Sequence, residues 1–330
     1  MKEQPLPPDA AILAALQQDG ESVSGADLAQ ELKITRSAVW ARIHSLRELG
    51  YDIEASPHGG YRLRAVPDRL HGDYLISLLE RRRVIGRDIR VFEETTSTSD
   101  LVERLARGGA GEGVVVFAES QTQGRGRLGR VWASPPGKGL WFSVLLRPAW
   151  RPQLVTRVMI GAAVALARAI RQQTNLAPDI KWPNDILIRG KKLAGILTEL
   201  SAELDKIKHV NLGVGINVNL SHSDFPSAVR SVATSVKIEL GRSVNRSDLA
   251  AQVLRELDSI YALLGEGGFE SVAHEWERQC TTLGQNVAVQ VGDREIRGRA
   301  EALDAEGALL VRTSHGRLER VAGGDVRVEH

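Results

Sequence analysis

The sequence predicts an α+β protein: a winged helix-turn-helix over residues 1–65, a linker over 66–72, a central mixed sheet with helices over 73–280, and a small β-barrel over 281–330. Three observations lead there. Near the N-terminus, apolar residues recur at helical spacing in three short runs and then switch to alternation. Through the middle, strand-like runs such as VVVFAES and LWFSVLLRP alternate with helical ones. From Asn286 onward, short alternating strands are cut by GD, AEG, SHG and AGG turns. A chain of 330 residues is also long enough for two or three separate cores.

Taking the elements in order, Asp9 is placed to cap a helix carrying Ile12, Leu13 and Leu16, and Gln18 to Ser22 read as a turn. Ser24 caps a second helix with Leu28 and Leu32, Lys33 and Ile34 make a tight turn, and Thr35 caps a third with Val39, Ile43 and Leu46 on one face. Tyr51, Ile53 and Ala55 then alternate, SPHGG turns the chain, and Tyr61 and Leu63 return as a second strand. Residues 1–65 hold seven basic and nine acidic side chains, yet Lys33 to Arg47 contain four basic residues and no acid, and the returning strand adds Arg62 and Arg64. Positive charge thus gathers where a reader helix and wing touch a duplex, and the expected DNA-binding residues are Ser24, Thr35, Arg36, Ser37, Trp40, Arg42 and Arg62. The blander reading is that Arg36, Arg42 and Arg47 solvate the helix and the small domain serves dimerisation.

AVPDRLHG is the linker candidate, with a proline and a glycine between two helical patterns. Beyond it come the strand IRVFEE, a polar TTSTSD, a helix from Asp100 to Arg107, and VVVFAES. After a loop at 124–130 follow LWFSVLLRP, a long helix over roughly 152–173, three strands ending in VNLGVGINVN, and helices over roughly 246–264 and 267–278.

Composition limits what such a protein can do. Against 43 Lys and Arg stand 41 Asp and Glu, so the net charge of +2 gives no global attraction to nucleic acid or anionic lipid, and basic surface must be local. Cys280 stands alone, which excludes an internal disulfide and a thiolate metal cluster; no metal-ligand motif is read. No signal sequence is legible, and the apolar run VMIGAAVALA is short for a bilayer span, so a cytoplasmic protein is expected.

The loop at 124–130 reads GRGRLGR, which has the G-x-G-x-x-G spacing of a dinucleotide-binding turn. That reading requires a helix opening at the third glycine and an acid about twenty residues on. Pro135 and Pro136 forbid the helix, and no acid occurs between Glu119 and Asp179. What remains is a glycine-permitted wrap around a ligand, with Arg125, Arg127 and Arg130 as planar donors suited to carboxylate or phosphate. Lys181 leads into KWPND, Ser97, Thr98 and Ser99 offer adjacent hydroxyls, Trp132 and Trp141 flank the loop, and Gly213 and Gly215 leave one strand face bare for a ligand.

GRGRLGR, KWPNDI, KLAGIL and GVGIN, in that order behind a winged helix, resemble the bifunctional biotin protein ligases that double as repressors of the biotin operon. The resemblance spans nearly the whole chain and implies a biotin/lipoate-ligase-type central domain and an SH3-like C-terminal barrel. It implies formation of biotinyl-5'-adenylate from biotin and ATP, with Mg²⁺, and transfer of biotin to a lysine of a biotin carboxyl carrier protein. Arg127 and Lys181 would be the catalytic cations. Biotin would be met by Ser97, Thr98, Ser99, Gln121, Arg125, Gly126, Arg127 and Lys181, with Trp141 nearby. ATP would be met by Arg125, Arg127, Arg130, Trp132, Lys181, Lys192 and Asn217, and the loop from Ser221 to Ser235, with Phe225, would fold over adenine. The further partners implied are operator DNA and a second copy of the chain, with no membrane. Two positions depart from the family: Ser99 stands where Asn is common, and Leu128 where an arginine is. Competing readings are a lipoate or octanoate ligase and a DNA-binding biotin sensor without ligase activity.

Overall fold

The computed structural model describes residues 6–17, 22–56 and 59–329; the turn expected at Gln18 to Ser22 and the Pro57–His58 part of the wing turn lie largely outside them. The N-terminal unit consists of α1 (Pro8–Gln17), α2 (Gly25–Leu32), α3 (Arg36–Glu48) and the antiparallel pair β1 (Asp52–Ser56) and β2 (Gly60–Ala65). Ser24 Oγ accepts from Ala26 N at 3.1 Å and Thr35 Oγ1 from Ala38 N at 3.2 Å, so both expected caps form. Asp9 does not cap α1. It sits inside the first turn after Pro8, and its carboxylate instead pairs with Arg42 at 2.8 Å. Lys33 closes α2 in the left-handed region at φ 55°, which makes the tight turn before α3.

The linker leads into α4 (Gly72–Ser77) and then a seven-stranded sheet: β3 (Asp88–Thr95), β4 (Val114–Gln121), β5 (Gly139–Leu146), β6 (Asp179–Lys181), β7 (Asp185–Ile188), β8 (Lys191–Glu203) and β9 (Lys206–Asn217). Four strands, not three, follow the long helix, because KWPND is itself a hairpin turn between two short strands. The order is β3-β4-β5-β9-β8-β7-β6, with β3 and β4 parallel and the other pairs antiparallel. The parallel pair is joined through α5 (Thr98–Arg107), which covers one face with Val102 and Ala106 against Val114, Val116 and Leu145. The other face packs on α6 (Thr156–Thr174), α8 (Arg246–Gly265) and α9 (Phe269–Gln279). Burial on both faces explains why β4 opens with the continuous apolar run VVVFA and β5 is apolar but for Ser143. With its lead-in turn, α6 has the length and hydropathy of a membrane span, but 72% of that window is buried beneath the sheet.

After the short α7 (Val236–Leu240) and α9, the chain forms β10 (Asn286–Val291), β11 (Arg294–Leu303), β12 (Leu309–Arg312), β13 (Leu318–Val321) and β14 (Asp325–Val328), antiparallel in the order β13-β12-β11-β10-β14. Val287, Val289, Ile296, Leu309, Val311 and Val326, from four of these strands, join the main core. Thr281 N bonds Ile180 O at 2.9 Å, and Thr282 Oγ1 accepts from Trp182 N at 3.1 Å. These bonds fix the C-terminal sheet beside the KWPND turn.

Candidate active site

A cavity of about 430 Å³ opens where β3 and β4 end and α5 begins, a volume suited to a small ligand. Its polar part is a hydroxyl and amide network. Gln121 Oε1 accepts from Thr98 N at 2.9 Å, Gln121 Nε2 donates to Ser134 Oγ at 2.9 Å, and Thr98 Oγ1 and Ser99 Oγ lie 2.8 and 3.3 Å from Ser143 Oγ. Ser97, at the start of α5, lines the same wall. Phe142, Ile196, Leu197 and Val214 add apolar surface, and Arg127, Lys181 and Lys192 add cations.

The three arginines of the loop are in three different situations. Arg125 is held by Asp100 at 2.5 Å and Glu199 at 3.4 Å; burial lowers its pKa, but these carboxylates more than offset that and raise it overall. Arg130 pairs with Asp325 of β14 at 2.5 Å. Arg127 turns inward, donating Nη1 to Asn184 Oδ1 at 3.3 Å, and burial draws its pKa below the usual arginine value. It remains the positive group of the loop not committed to a carboxylate, as a guanidinium keeps its charge. Gly126 N donates to Arg130 O at 2.7 Å, closing the loop on itself. Among the described residues Lys181 has no ion pair, so its ammonium is free for an anion. Lys192 pairs with Asp185 at 2.6 Å and lies 5.3 Å from the Trp132 ring centroid.

Of the two glycines expected to admit a ligand, Gly213 lines the cavity with Ser99 Oγ 3.3 Å from where its Cβ would stand, while Gly215 admits a side chain instead. Gly195 and Gly215 are cross-strand partners, and a Cβ on Gly215 would lie 2.6 Å from the Trp132 indole, one on Gly195 2.9 Å from it. Trp132 therefore lies flat over a two-glycine floor and walls the cavity. Trp141 is fully buried behind it, edge-on with centroids 6.3 Å apart, and is not part of the lining. Asn217 lines the cavity while donating to Thr234 O at 3.0 Å, and Lys192 exchanges backbone bonds with Val232 and Thr234. Both brace the 221–235 segment, whose Phe225 reaches the cavity.

Comparison with known proteins decides the family. Residues 91–217 match the biotin/lipoate A/B protein ligase family, 10–62 an HTH domain, and 282–328 the biotin protein ligase C-terminal domain. The chain is 36% identical over 312 residues to the bifunctional ligase/repressor BirA of Bacillus subtilis (strain 168), covering 94% of this chain and 95% of that one. Against the Escherichia coli (strain K12) protein of the same name, identity is 30% over 95% of both chains. A solved biotin protein ligase from Aquifex aeolicus in complex with biotin and ATP superposes with a TM-score of 0.64 at 27% identity, covering 74% of this chain and 100% of that one.

The chain belongs to the bifunctional biotin ligase/repressor family.

Within this ligase/repressor, the sequence motifs found the cavity's cations and most of its hydroxyls. They missed Ser143, Ser134, Asn184 and Asp325. Ser143 occupies a strand position that reads as core, whereas Asn184 stands inside KWPND, where an amide three residues from Lys181 is a visible signal. Of the expected DNA-binding residues, Arg36, Ser37 and Trp40 are exposed on α3, with Trp40 58% exposed and 5.6 Å from the His44 ring. Arg42 is engaged by Asp9, and Ser24 and Thr35 serve as caps. Arg62 lies half-buried on the returning strand. Arg47, whose Nε and Nη2 bond Ile53 O at 2.9 and 2.6 Å, is a structural tie between helix and wing.

Proposed function

We propose that the chain joins biotin and ATP into biotinyl-5'-adenylate and passes biotin to a carrier-protein lysine in the cytoplasm, and that as a homodimer it represses biotin biosynthesis genes. The observation that carries the catalytic reading is a single cavity lined by Arg127, Lys181 and Lys192 together with the Thr98–Ser99–Gln121–Ser143 network. A urea-like ring suits the hydroxyls and amide, an aliphatic tail suits Phe142, Leu197 and Val214, and a carboxylate meeting a phosphate suits the cations. In the first step a biotin carboxylate oxygen bonds the α-phosphorus as the bond to the bridging oxygen breaks and pyrophosphate leaves. Arg127 and Lys181 offset the negative charge gathering there. In the second, the carrier lysine amine attacks the acyl carbon, loses a proton and expels AMP.

Mg²⁺ enters with the triphosphate as part of the substrate. The carboxylates lining the cavity, Asp185 and Asp325, are already paired with Lys192 and Arg130, and Mg²⁺ commonly relies on substrate phosphates for its ligands. On the regulatory side, the exposed Arg36, Ser37 and Trp40 of α3 form the face that reads operator DNA. Biotin-dependent exchange of labelled pyrophosphate into ATP tests the enzyme, with lipoate as the control acid. Exchange with biotin alone, lost in Arg127→Ala, supports it; exchange with lipoate instead points to a lipoate ligase, and none with either to a DNA-binding sensor. Gel shifts with and without biotin and ATP test the coupling to dimerisation and DNA.

A further inference from the structure

We propose that Asp325 is a positioning residue for the arginine loop: by tethering Arg130 it holds Arg127 at the cavity, so the C-terminal sheet sets how often the loop is competent. The catalytic consequence rests on the adenylation reading; the tether does not.

Two anchors hold the loop from outside. On one side Arg125 is fastened to Asp100 and Glu199, and on the other Arg130 Nη2 reaches Asp325 Oδ2 at 2.5 Å, across 195 residues of sequence. Between them the loop closes on itself through Gly126 N to Arg130 O at 2.7 Å and Arg130 N to Arg127 O at 3.1 Å, so the tethered Arg130 is joined directly to the backbone of Arg127. Leu128 adopts φ 54° in the left-handed region, unusual for a leucine, and its side chain is 71% exposed. The turn that carries Asp325 is itself well seated. A Cβ on Gly324 would lie 2.6 Å from Gln290 O, so the turn hugs β10, and β14 pairs along β10 beyond it. The neighbouring Gly323 presents bare backbone to Arg127, with Nη2 only 3.5 Å from where a Cβ would stand. Asn184 Oδ1 accepts from the same guanidinium's Nη1 at 3.3 Å. Arg127 therefore sits between two turns, one from the central sheet and one from the C-terminal sheet, and Asp325 joins the second turn to the loop. Arg130 is committed to this tether rather than to a nucleotide.

Asp325→Asn removes the charge and keeps the shape. Because the pair is largely exposed, its loss opens the loop by no more than about fivefold. Tryptic nicking at Arg127 of the full-length protein is expected to quicken by about threefold to fivefold at unchanged Tm. Because one fivefold shift is divided between the open and closed fractions, the kcat of biotin-dependent pyrophosphate exchange should fall by no more than about twofold, and the Kd for biotin without ATP should rise by no more than that. Exchanging the charges, Arg130→Asp with Asp325→Arg, should restore both nicking and exchange. An Asn variant nicked and turning over at wild-type rates overturns the proposal. So does a charge exchange that repairs nicking but not turnover, since Arg130 would then act on the nucleotide itself. A wild-type chain without exchange would refute the adenylation reading alone, and nicking would still decide the tether.

Discussion

At the residue scale, the cavity depends on a few contacts that allow no added bulk and on one side chain that orients Arg127. Gly215→Ala places a Cβ 2.6 Å from the Trp132 indole, which must then tilt off its floor. Overpacking of this kind costs about 1–3 kcal/mol, so urea denaturation should show a lower midpoint, and the KM for ATP should rise more than the KM for biotin. Asn184→Ala frees Arg127 Nη1 and also leaves Ile196 O without the 2.8 Å donor it now has. If Arg127 acts at the α-phosphate as proposed, misplacing it slows the chemical step by roughly tenfold to a hundredfold, measurable as single-turnover adenylate formation. The cations were legible in the sequence because arginine flanked by glycine has few structural uses. Ser143 was not, because a serine inside LWFSVLLRP shows its partners only when α5 is laid across the strand.

At the element scale, helix ends and helix pairs carry the testable energies. Thr35→Ala removes the hydroxyl that accepts from Ala38 N, at a cost of about 1 kcal/mol, whereas Thr35→Ser retains the cap. Thermal melting should separate the two variants, and operator affinity should follow if α3 is the reader. Arg168 grips Glu275 through two hydrogen bonds, at 2.8 and 2.5 Å, tying α6 to α9. That bond, against a smaller opposing effect of burial, holds the Glu275 pKa below the ordinary glutamate value. A depressed carboxylate stabilises the fold above its unfolded pKa and loses that contribution as pH falls through the folded one. Wild type should therefore lose stability relative to Glu275→Gln on acidification below the ordinary glutamate pKa, with the gap closing once both states are protonated. Most elements were legible from periodicity. The fourth strand was not, because β6 has only three residues and Pro183 follows at once, and Asp9 looked like a cap because its partner Arg42 lies 33 residues away.

At the scale of the whole molecule, the linker is docked rather than loose. Arg246, 1% exposed, donates to Glu119 Oε2 at 2.5 Å and to Asp68 Oδ1 at 3.1 Å, while Glu119 Oε1 accepts from Leu70 N at 2.8 Å. Arg246→Met leaves Glu119 buried without its counter-ion, and breaking such a pair costs about 3–5 kcal/mol. The variant should unfold at markedly lower urea concentration, and proteolysis between residues 66 and 72 should accelerate. Proline and glycine in AVPDRLHG read as a connection, but the partners of Leu70 and Asp68 lie 49 and 178 residues away in the chain, beyond what one sequence can pair. The same long reach shapes the cavity, whose lining runs from Ser97 to Val326, whereas the cluster that includes Ile12, Val39, Ile43 and Tyr74 is drawn from the first segments alone. Synthesis proceeds from the N-terminus and domains fold as units. On the proposed function, the helix that faces DNA is thus assembled on the ribosome well before the chamber that senses the small molecule, and each new chain passes through an interval in which it has a reader and no sensor.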